Sequence, residues 1–532
     1  MNTGGIHQVE LILLLLLIFV VGLGTLAERV KTPYPIVMVM GGLVLSLIPG
    51  MPHVRLDPNL VFLIILPPLL FGAAAETSWR EFRSNIISIL VLAFVLVGFT
   101  VAAVAFIANW LIPWFDWRLG LVLGAVVATT DAIAATSIAQ RVGLPENITQ
   151  ILEGESLVND ASGLLALEFA VAFIVSGHTP SFTEATFRLL YLVFGGIAIG
   201  LIFAKVVSLF GRRIDYAPIE ITVSIVTPFA AYLTAEFAKS SGVLAAVAAG
   251  LYLGRQSSVL LSSMVRIESR AAWNTLTYVL NGLVFTMIGL QLPYVLKSIN
   301  SDSREQLLIN AAQITVAVIG VRFVGVFSLA YAGYFIRTRL FKEDFPPPPP
   351  KGVFIIAWTG MRGVVALAAA IALPETLADG SPFPQRNMIL FLTFCVIFVT
   401  LVLQGLTLPT IIRWFGLSSP PRAEAEERMA RRKMIESALA QLEQLCPEGA
   451  EERQDIYPDI VRYYQRRRAA LEETQKESEA PEEHQERYRE LTIQLRQTER
   501  ATVLELRDRN EIGDAALRRI ERELDFMDAR FQ

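Results

Sequence analysis

The sequence predicts an all-α membrane protein, with about thirteen transmembrane helices in inverted repeats, two of them broken crossing helices, and then a helical cytoplasmic tail. Three observations carry this expectation. First, 53% of the 532 residues are hydrophobic and only 18% are charged, where a soluble domain is about 25% charged; mean hydropathy is +0.49. Second, apolar stretches near the length a bilayer requires, about 20 residues, recur as far as residue 412. Third, the residues from 417 onward carry 27 acids and 21 bases, as many charges as all the residues before them. That shift divides the chain into a transmembrane domain, 1–416, and a charged tail, 417–532.

The first span, 9–27, is a dense run of Leu, Ile and Val. The residues before it lack the basic region of a signal peptide, so this helix is expected to remain in the mature protein. Spans at 35–49, 59–76 and 84–112 follow, the first of them short. Spans 118–140 and 147–175 are apolar but carry polar clusters near their middle and their start. Further spans are expected at 185–210, 217–238, 241–254, 270–292 and 307–336, and the stretch 241–254 is again short. Pro346 to Pro350 form a stiff polyproline II spacer before the twelfth span, 352–373. The thirteenth is 387–412. Lys and Arg in the short connections number fourteen on one side and seven on the other, which puts the N-terminus outside and the tail in the cytoplasm. In the tail, Ile435, Leu439, Leu442 and Leu445 recur at helical spacing, as do Leu517, Ile520, Leu524 and Met527.

Several function classes are excluded. Two cysteines, Cys395 and Cys446, build no disulfide framework. Four histidines, His7, His53, His178 and His484, are too scattered for a zinc site, and no P-loop or Gly-x-Gly-x-x-Gly fingerprint marks a nucleotide-driven pump. A net charge of −4 with no basic surface offers nothing to nucleic acid.

Charged groups at membrane depth cost several kcal/mol, about 2.5–3.5 on insertion scales, so those that remain are functional candidates. The fifth span contains Ala128-Thr-Thr-Asp-Ala-Ile-Ala-Ala-Thr136, whose hydroxyls and Asp131 compete with the helix for backbone hydrogen bonds. This suits an unwound crossing point with free carbonyls for a cation. The sixth span begins Glu153-Gly-Glu-Ser-Leu-Val-Asn-Asp160. There Glu155 and Asn159 share one helix face, and Ser156 and Asp160 share another. A carboxylate beside a hydroxyl and an amide exchanges the water around Na⁺ or Li⁺ for protein oxygens, and the same carboxylate also holds a proton. A polar helix interface at 128–136, or acids that only decorate a helix N-terminus, would be the structural alternatives, but the latter leaves Asp160 unexplained. Arg322, in the eleventh span, needs a buried anion, for which Glu155 is the best candidate. Arg362, flanked by Gly360 and Gly363, marks a second broken helix whose carbonyl ends it neutralises. Glu168, Glu220 and Glu236 read as paired or interfacial. The breaks fall seven spans apart, in the fifth and twelfth, as spans 1–6 and 8–13 of an inverted repeat would place them.

Gly-Glu-Ser-Leu-Val-Asn-Asp (154–160), Thr-Asp-Ala-Ile-Ala (130–134) and Gly-Met-Arg-Gly-Val-Val (360–365) resemble the monovalent cation–proton antiporters. The match is to the Asn-Asp branch, which contains the sodium/proton exchangers and their bacterial relatives. Leu66-Pro-Pro-Leu-Leu-Phe71, Asn281-Gly-Leu-Val-Phe285 and Gln404-Gly-Leu-Thr-Leu-Pro409 extend the likeness over 1–416. The resemblance implies a homodimer in lipid, in a bacterial inner membrane, serving pH homeostasis. It implies a dimerisation part (spans 1–3 and 8–10), a moving core (spans 4–6 and 11–13) and elevator-like alternating access. It makes Asp160 the ion- and proton-binding carboxylate and Asn159 part of the branch motif. Ser156, Asp131 and the backbone around Thr129 and Thr130 would support the ion, and Glu155 with Arg322 would hold the core together. Two positions depart from the family pattern: Gly72 stands where many relatives have a glutamate, with Glu76 one turn on, and Asp131-Ala132 replaces Asp-Pro.

The expected function is therefore exchange of Na⁺ (or Li⁺ or K⁺) for H⁺, with both competing for Asp160 and no cofactor beyond the transported ions. A K⁺-selective antiporter is the near alternative. A channel would need a repeated filter motif, which is absent. A membrane sensor would signal through the tail. An intramembrane enzyme is disfavoured because Ser156 has no histidine partner in the membrane part.

Overall fold

The computed structural model describes residues 3–48, 58–131, 135–137, 142–176, 182–211, 216–291, 304–340, 346–377, 380–417, 422–445 and 460–466, with one or two residues at a time elsewhere. Helices cover nearly all of it. In chain order they are α1 (Thr3–Val30), α2 (Tyr34–Ser46), α3 (Pro58–Glu76), α4 (Ile86–Leu111) and α5 (Trp117–Ala128). Next come α6 (Glu146–Ser176), α7 (Phe182–Gly211), α8 (Ala217–Phe237), α9 (Gly242–Leu260), α10 (Ser263–Leu290) and α11 (Arg304–Phe335). The last of the membrane unit are α12 (Pro350–Trp358), α13 (Val364–Ile371) and α14 (Arg386–Phe415). Each expected span overlaps one of these helices, the fifth over its first half as α5 and the twelfth as the pair α12 and α13. Among the described residues, seven helices are long and apolar enough to cross a membrane, while α2 and α5 are shorter apolar helices.

Both expected breaks are present, and each has a local cause. α5 stops where three polar residues follow one another, and Thr129 is extended at φ −64, ψ 136. Its hydroxyl donates to the Val126 carbonyl instead of continuing the helix. α12 stops at Thr359, whose hydroxyl donates to the Ile355 carbonyl at 2.8 Å, and α13 starts only after Gly363. The two broken stretches cross: the Asp131 amide donates to the Met361 carbonyl at 2.8 Å. Residues 132–134 and 138–140, part of the fifth span, lie outside the described residues.

Packing distributes the helices into neighbourhoods. α2 packs on α10 and α1, α3 on α9, and α7 on both α8 and α9. α4 packs on α5, α6 on α5 and on α4, and α11 on α4, α12 and α14. Close approach of α5 to α4 needs Gly120 and Gly124, because a side chain at either would overlap the backbone of Ala105 or Val101. Several hydroxyls in the apolar helices bond the carbonyl one turn back, as Thr100, Thr227 and Thr315 do at 2.7 Å, which satisfies them without water. Among the described residues, four π-helical turns interrupt the regular pitch, at Val61–Ile65, Val91–Leu96, Ile336–Leu340 and Thr400–Gln404. Ahead of α12, Pro349 has φ −66, ψ 119, and the Lys351 ammonium donates to the Phe415 carbonyl at the end of α14.

Residues 1–419 form one compact unit and 420–532 a second. In the latter, α15 (Arg422–Leu445) is helical, with Ile435 buried and Arg432 paired to Glu436 at 3.0 Å. The expected repeat at Leu517, Ile520, Leu524 and Met527, like Cys446, lies outside the described residues.

Candidate functional site

The breaks bring the ends of α5 and α12 and the start of α13 together. The C-terminal ends of α5 and α12 each present unsatisfied carbonyls with partial negative charge. Arg362, buried between them, answers both. Its Nε donates to the Val127 carbonyl and its Nη1 to the Gly360 carbonyl, and its own amide donates to the Thr400 hydroxyl at 3.2 Å. Asp131 lies at the opposite, electropositive end, before the first turn of α13. The contact is so close that a side chain on Gly363 would overlap the Asp131 carboxylate.

α6 passes beside this crossing and anchors it. The Arg322 guanidinium of α11 grips the Glu155 carboxylate at 2.6 and 3.0 Å and also donates to the Ile356 carbonyl of α12 at 3.1 Å. Arg322 lies flat over Gly360, where a Cβ would collide with it. Glu155 also accepts from the Thr130 hydroxyl at 3.3 Å. One buried ion pair thus ties α6, α11, α12 and the fifth-span break together. The bidentate geometry is the strong form of such a pair.

Around Asp160 the donors are oxygens. Ser156 Oγ donates to the Thr130 carbonyl at 2.8 Å, and the Asn159 amide donates to the Thr130 hydroxyl. Asn159 Oδ1 is buried and makes no hydrogen bond among the described residues. Asp160 itself is buried. Among the described residues it has neither an ion pair nor a hydrogen bond, and Asp131 is the charge within electrostatic reach of it. Gly163 allows α6 to approach the Thr129 methyl. The seven residues Thr129, Thr130, Asp131, Glu155, Ser156, Asn159 and Asp160 therefore form one cluster, with Arg322 and Arg362 holding its walls.

A cavity of about 1710 Å³ reaches this cluster. It is lined by Asp160, Ser156, Asp131 and Thr130 at one end and by exposed Arg255, Arg266 and Arg270 at the other. Glu76 is exposed in the cavity lining, within electrostatic reach of Glu153. Gly72 is backed by the Trp273 ring and Thr277 of α10. A second cavity, about 330 Å³, starts at Ala161 and Ser162 and is lined farther out by Glu168, Arg188, Glu236 and Lys239. Glu168 pairs with Arg188 at 3.2 Å, and Arg188 also donates to the Lys239 carbonyl at 3.1 Å. Asp160 thus sits on α6 where one cavity ends, beside the residues where the other begins.

Three contributors were not singled out as site residues from the sequence. Thr400 holds the Arg362 backbone from a π-helical turn in α14. Tyr34 and Asn281 line the large cavity from α2 and α10. Asn281, inside the apolar run Leu280 to Phe285, carried the same signal as Asp160, a polar side chain at membrane depth.

A chemically plain use follows from these groups: oxygens of hydroxyl, amide, carboxylate and backbone carbonyl replace the water shell of a hard cation. A lone accessible carboxylate in the same place also takes a proton.

Comparison with known proteins gives a consistent picture. The family described as "Sodium/hydrogen exchanger, transmembrane" matches residues 15–414. An uncharacterized Na⁺/H⁺ exchanger of Mycobacterium tuberculosis is 32% identical, over 97% of this chain and 95% of that one. A sodium, potassium, lithium and rubidium/H⁺ antiporter of Bacillus pumilus is 34% identical, over 77% of this chain and 62% of that one. Among solved structures, the sodium proton antiporter MjNhaP1 of Methanocaldococcus jannaschii has a similar fold. Its TM-score is 0.60 at 20% identity, over 76% of this chain and 98% of that one.

Proposed function

Because the chain belongs to the sodium/hydrogen exchanger family, integral membrane cation/proton antiporters rather than enzymes, we propose that it exchanges Na⁺ for H⁺ by competition at Asp160. The observation that carries this reading is the state of Asp160: buried, reached by the large cavity, ringed by oxygen donors and without an ion pair among the described residues. A cation arriving there meets the Asp160 carboxylate, Ser156 Oγ, and the carbonyls exposed by the break at Thr129 and Thr130. A proton on Asp160 removes the charge that holds the cation, so the two leave and arrive alternately. A proton gradient then drives cation export with about 1.4 kcal/mol per pH unit.

Access alternates, in this reading, by movement of α4–α6 with α11–α14 against α1–α3 with α8–α10. The first set carries both breaks and both buried arginines, which supports its moving as a rigid core. The cavities on either side of Asp160 lie between the two sets. Sliding the core would close one cavity and extend the other to the same carboxylate. The stationary set forms the contact in a homodimer, and the larger cavity faces the cytoplasm, where the excess of basic connections points. K⁺ or Li⁺ as the transported ion is the second reading, favoured by the Bacillus relative whose name includes both.

Purified protein in liposomes, with an internal pH dye and an imposed proton gradient, tests the proposal. Na⁺, Li⁺ and K⁺ are added separately to wild type and to Asp160→Asn. Dye recovery on a cation, lost in the variant, supports exchange and identifies the ion. Recovery that persists in Asp160→Asn removes the assignment of Asp160.

A further inference from the structure

We infer that Asn281, with Tyr34, forms a neutral oxygen site for the transported monovalent cation on the cavity wall opposite the charged cluster. The inference rests on the exchange reading above and deepens it. Asn281 lies in the middle of α10, fully buried. Its Nδ2 donates to the Tyr34 hydroxyl at 3.4 Å, which leaves Oδ1 without a hydrogen bond among the described residues. Burying an amide oxygen without a partner is unfavourable, and this one belongs to a residue that lines the same cavity as Asp131 and Asp160. Tyr34 is itself held by the Tyr278 ring, at 5.6 Å between centroids.

The helix repeat extends the feature into a track. Asn274, Thr277 and Asn281 sit at i, i+3 and i+7, on one face of α10, and all three line the cavity. Their end of the helix also carries Arg270, at the mouth. The α10 wall therefore offers hydroxyl and amide oxygens in sequence from mouth to depth. The facing wall offers the carboxylates of Glu153, Asp160 and Asp131. A cation takes oxygens from both walls, since carbonyl-type oxygens replace its hydration shell. A proton binds only the carboxylates, because an amide oxygen does not titrate in the working range. The neutral wall accordingly raises cation affinity while leaving proton affinity unchanged.

The test uses the full chain in liposomes, with initial rates measured across Na⁺ concentration and pH. Asn281→Leu keeps the size and removes the oxygen. Its KM for Na⁺ is expected to rise about fivefold, the equivalent of about 1 kcal/mol for one neutral contact, with kcat and the pH profile held. Asn281→Asp keeps an oxygen there, and its KM is expected at or below that of wild type. An Asn281→Leu KM equal to wild type, or a rise that Asn281→Asp shares, overturns the proposal. So does a fall in kcat or a displaced pH profile without a change in KM, which is the mark of a purely structural residue. If Asn281→Leu does not insert, Asn281→Asp decides alone: a KM at or below that of wild type supports the site and a raised one refutes it. Asp160→Asn runs in parallel. Persistent exchange in that variant would refute the exchange assignment itself, independently of the Asn281 result.

Discussion

Replacing Arg322 by Met removes the guanidinium but keeps much of its aliphatic length. The Glu155 carboxylate then stays behind with the Thr130 hydroxyl as its hydrogen-bond partner, and the Ile356 carbonyl loses a donor. The side chains of Arg322 and Glu155 are only 4% and 2% exposed, so solvent does not screen the loss. Breaking a buried pair from one side costs about 3–5 kcal/mol. The exposed Arg188–Glu168 pair, 35% and 51% exposed, belongs to the regime of about 0–1 kcal/mol. Equilibrium unfolding in detergent micelles measures the difference. The double variant Glu155→Leu/Arg322→Met removes both charges, and its stability is expected to return to near that of wild type, since apolar replacement of a whole buried pair is often neutral. A loss below about 1 kcal/mol for Arg322→Met alone would refute the reasoning, because it would put this pair in the exposed regime.

Two further outcomes are expected. Gly363→Ala places a methyl group against the Asp131 carboxylate; overpacking of this kind costs about 1–3 kcal/mol, read by unfolding, and exchange in liposomes falls with it. Glu168→Gln changes stability by less than about 1 kcal/mol in the same unfolding assay, and a larger loss would show that its pair with Arg188 is not the solvent-screened contact its exposure indicates.

The crossing was legible in the sequence because both breaks carry local chemistry: consecutive Thr129, Thr130 and Asp131 in one helix, Gly360 and Gly363 around Arg362 in the other. The contact between Arg322 and Glu155 was legible for a different reason, since two opposite charges in apolar helices have few partners to choose from. Backbone groups were not legible. The Val127 and Gly360 carbonyls that hold Arg362 have no residue type to mark them, and the π-helical turn that positions Thr400 leaves the apolar pattern unbroken. The short ninth span and the start of the tenth were underestimated because α9 continues to Leu260 and α10 reaches back to Ser263 as polar helix, beyond the reach of a hydropathy window. Asn281 was noticed as part of a motif but not as a cavity residue, because its meaning depends on Tyr34, which is distant in the chain.

The central claim is that one carboxylate serves both ions, and linked binding tests it most directly. Na⁺ is titrated into purified protein in weakly buffered solution at several pH values, with proton release recorded alongside. The account predicts that each Na⁺ bound displaces a proton where Asp160 is protonated, and that Na⁺ affinity there falls by about tenfold for each unit the pH is lowered. Asp160→Asn should release none. Na⁺ affinity independent of pH, or unchanged proton release in Asp160→Asn, would contradict it.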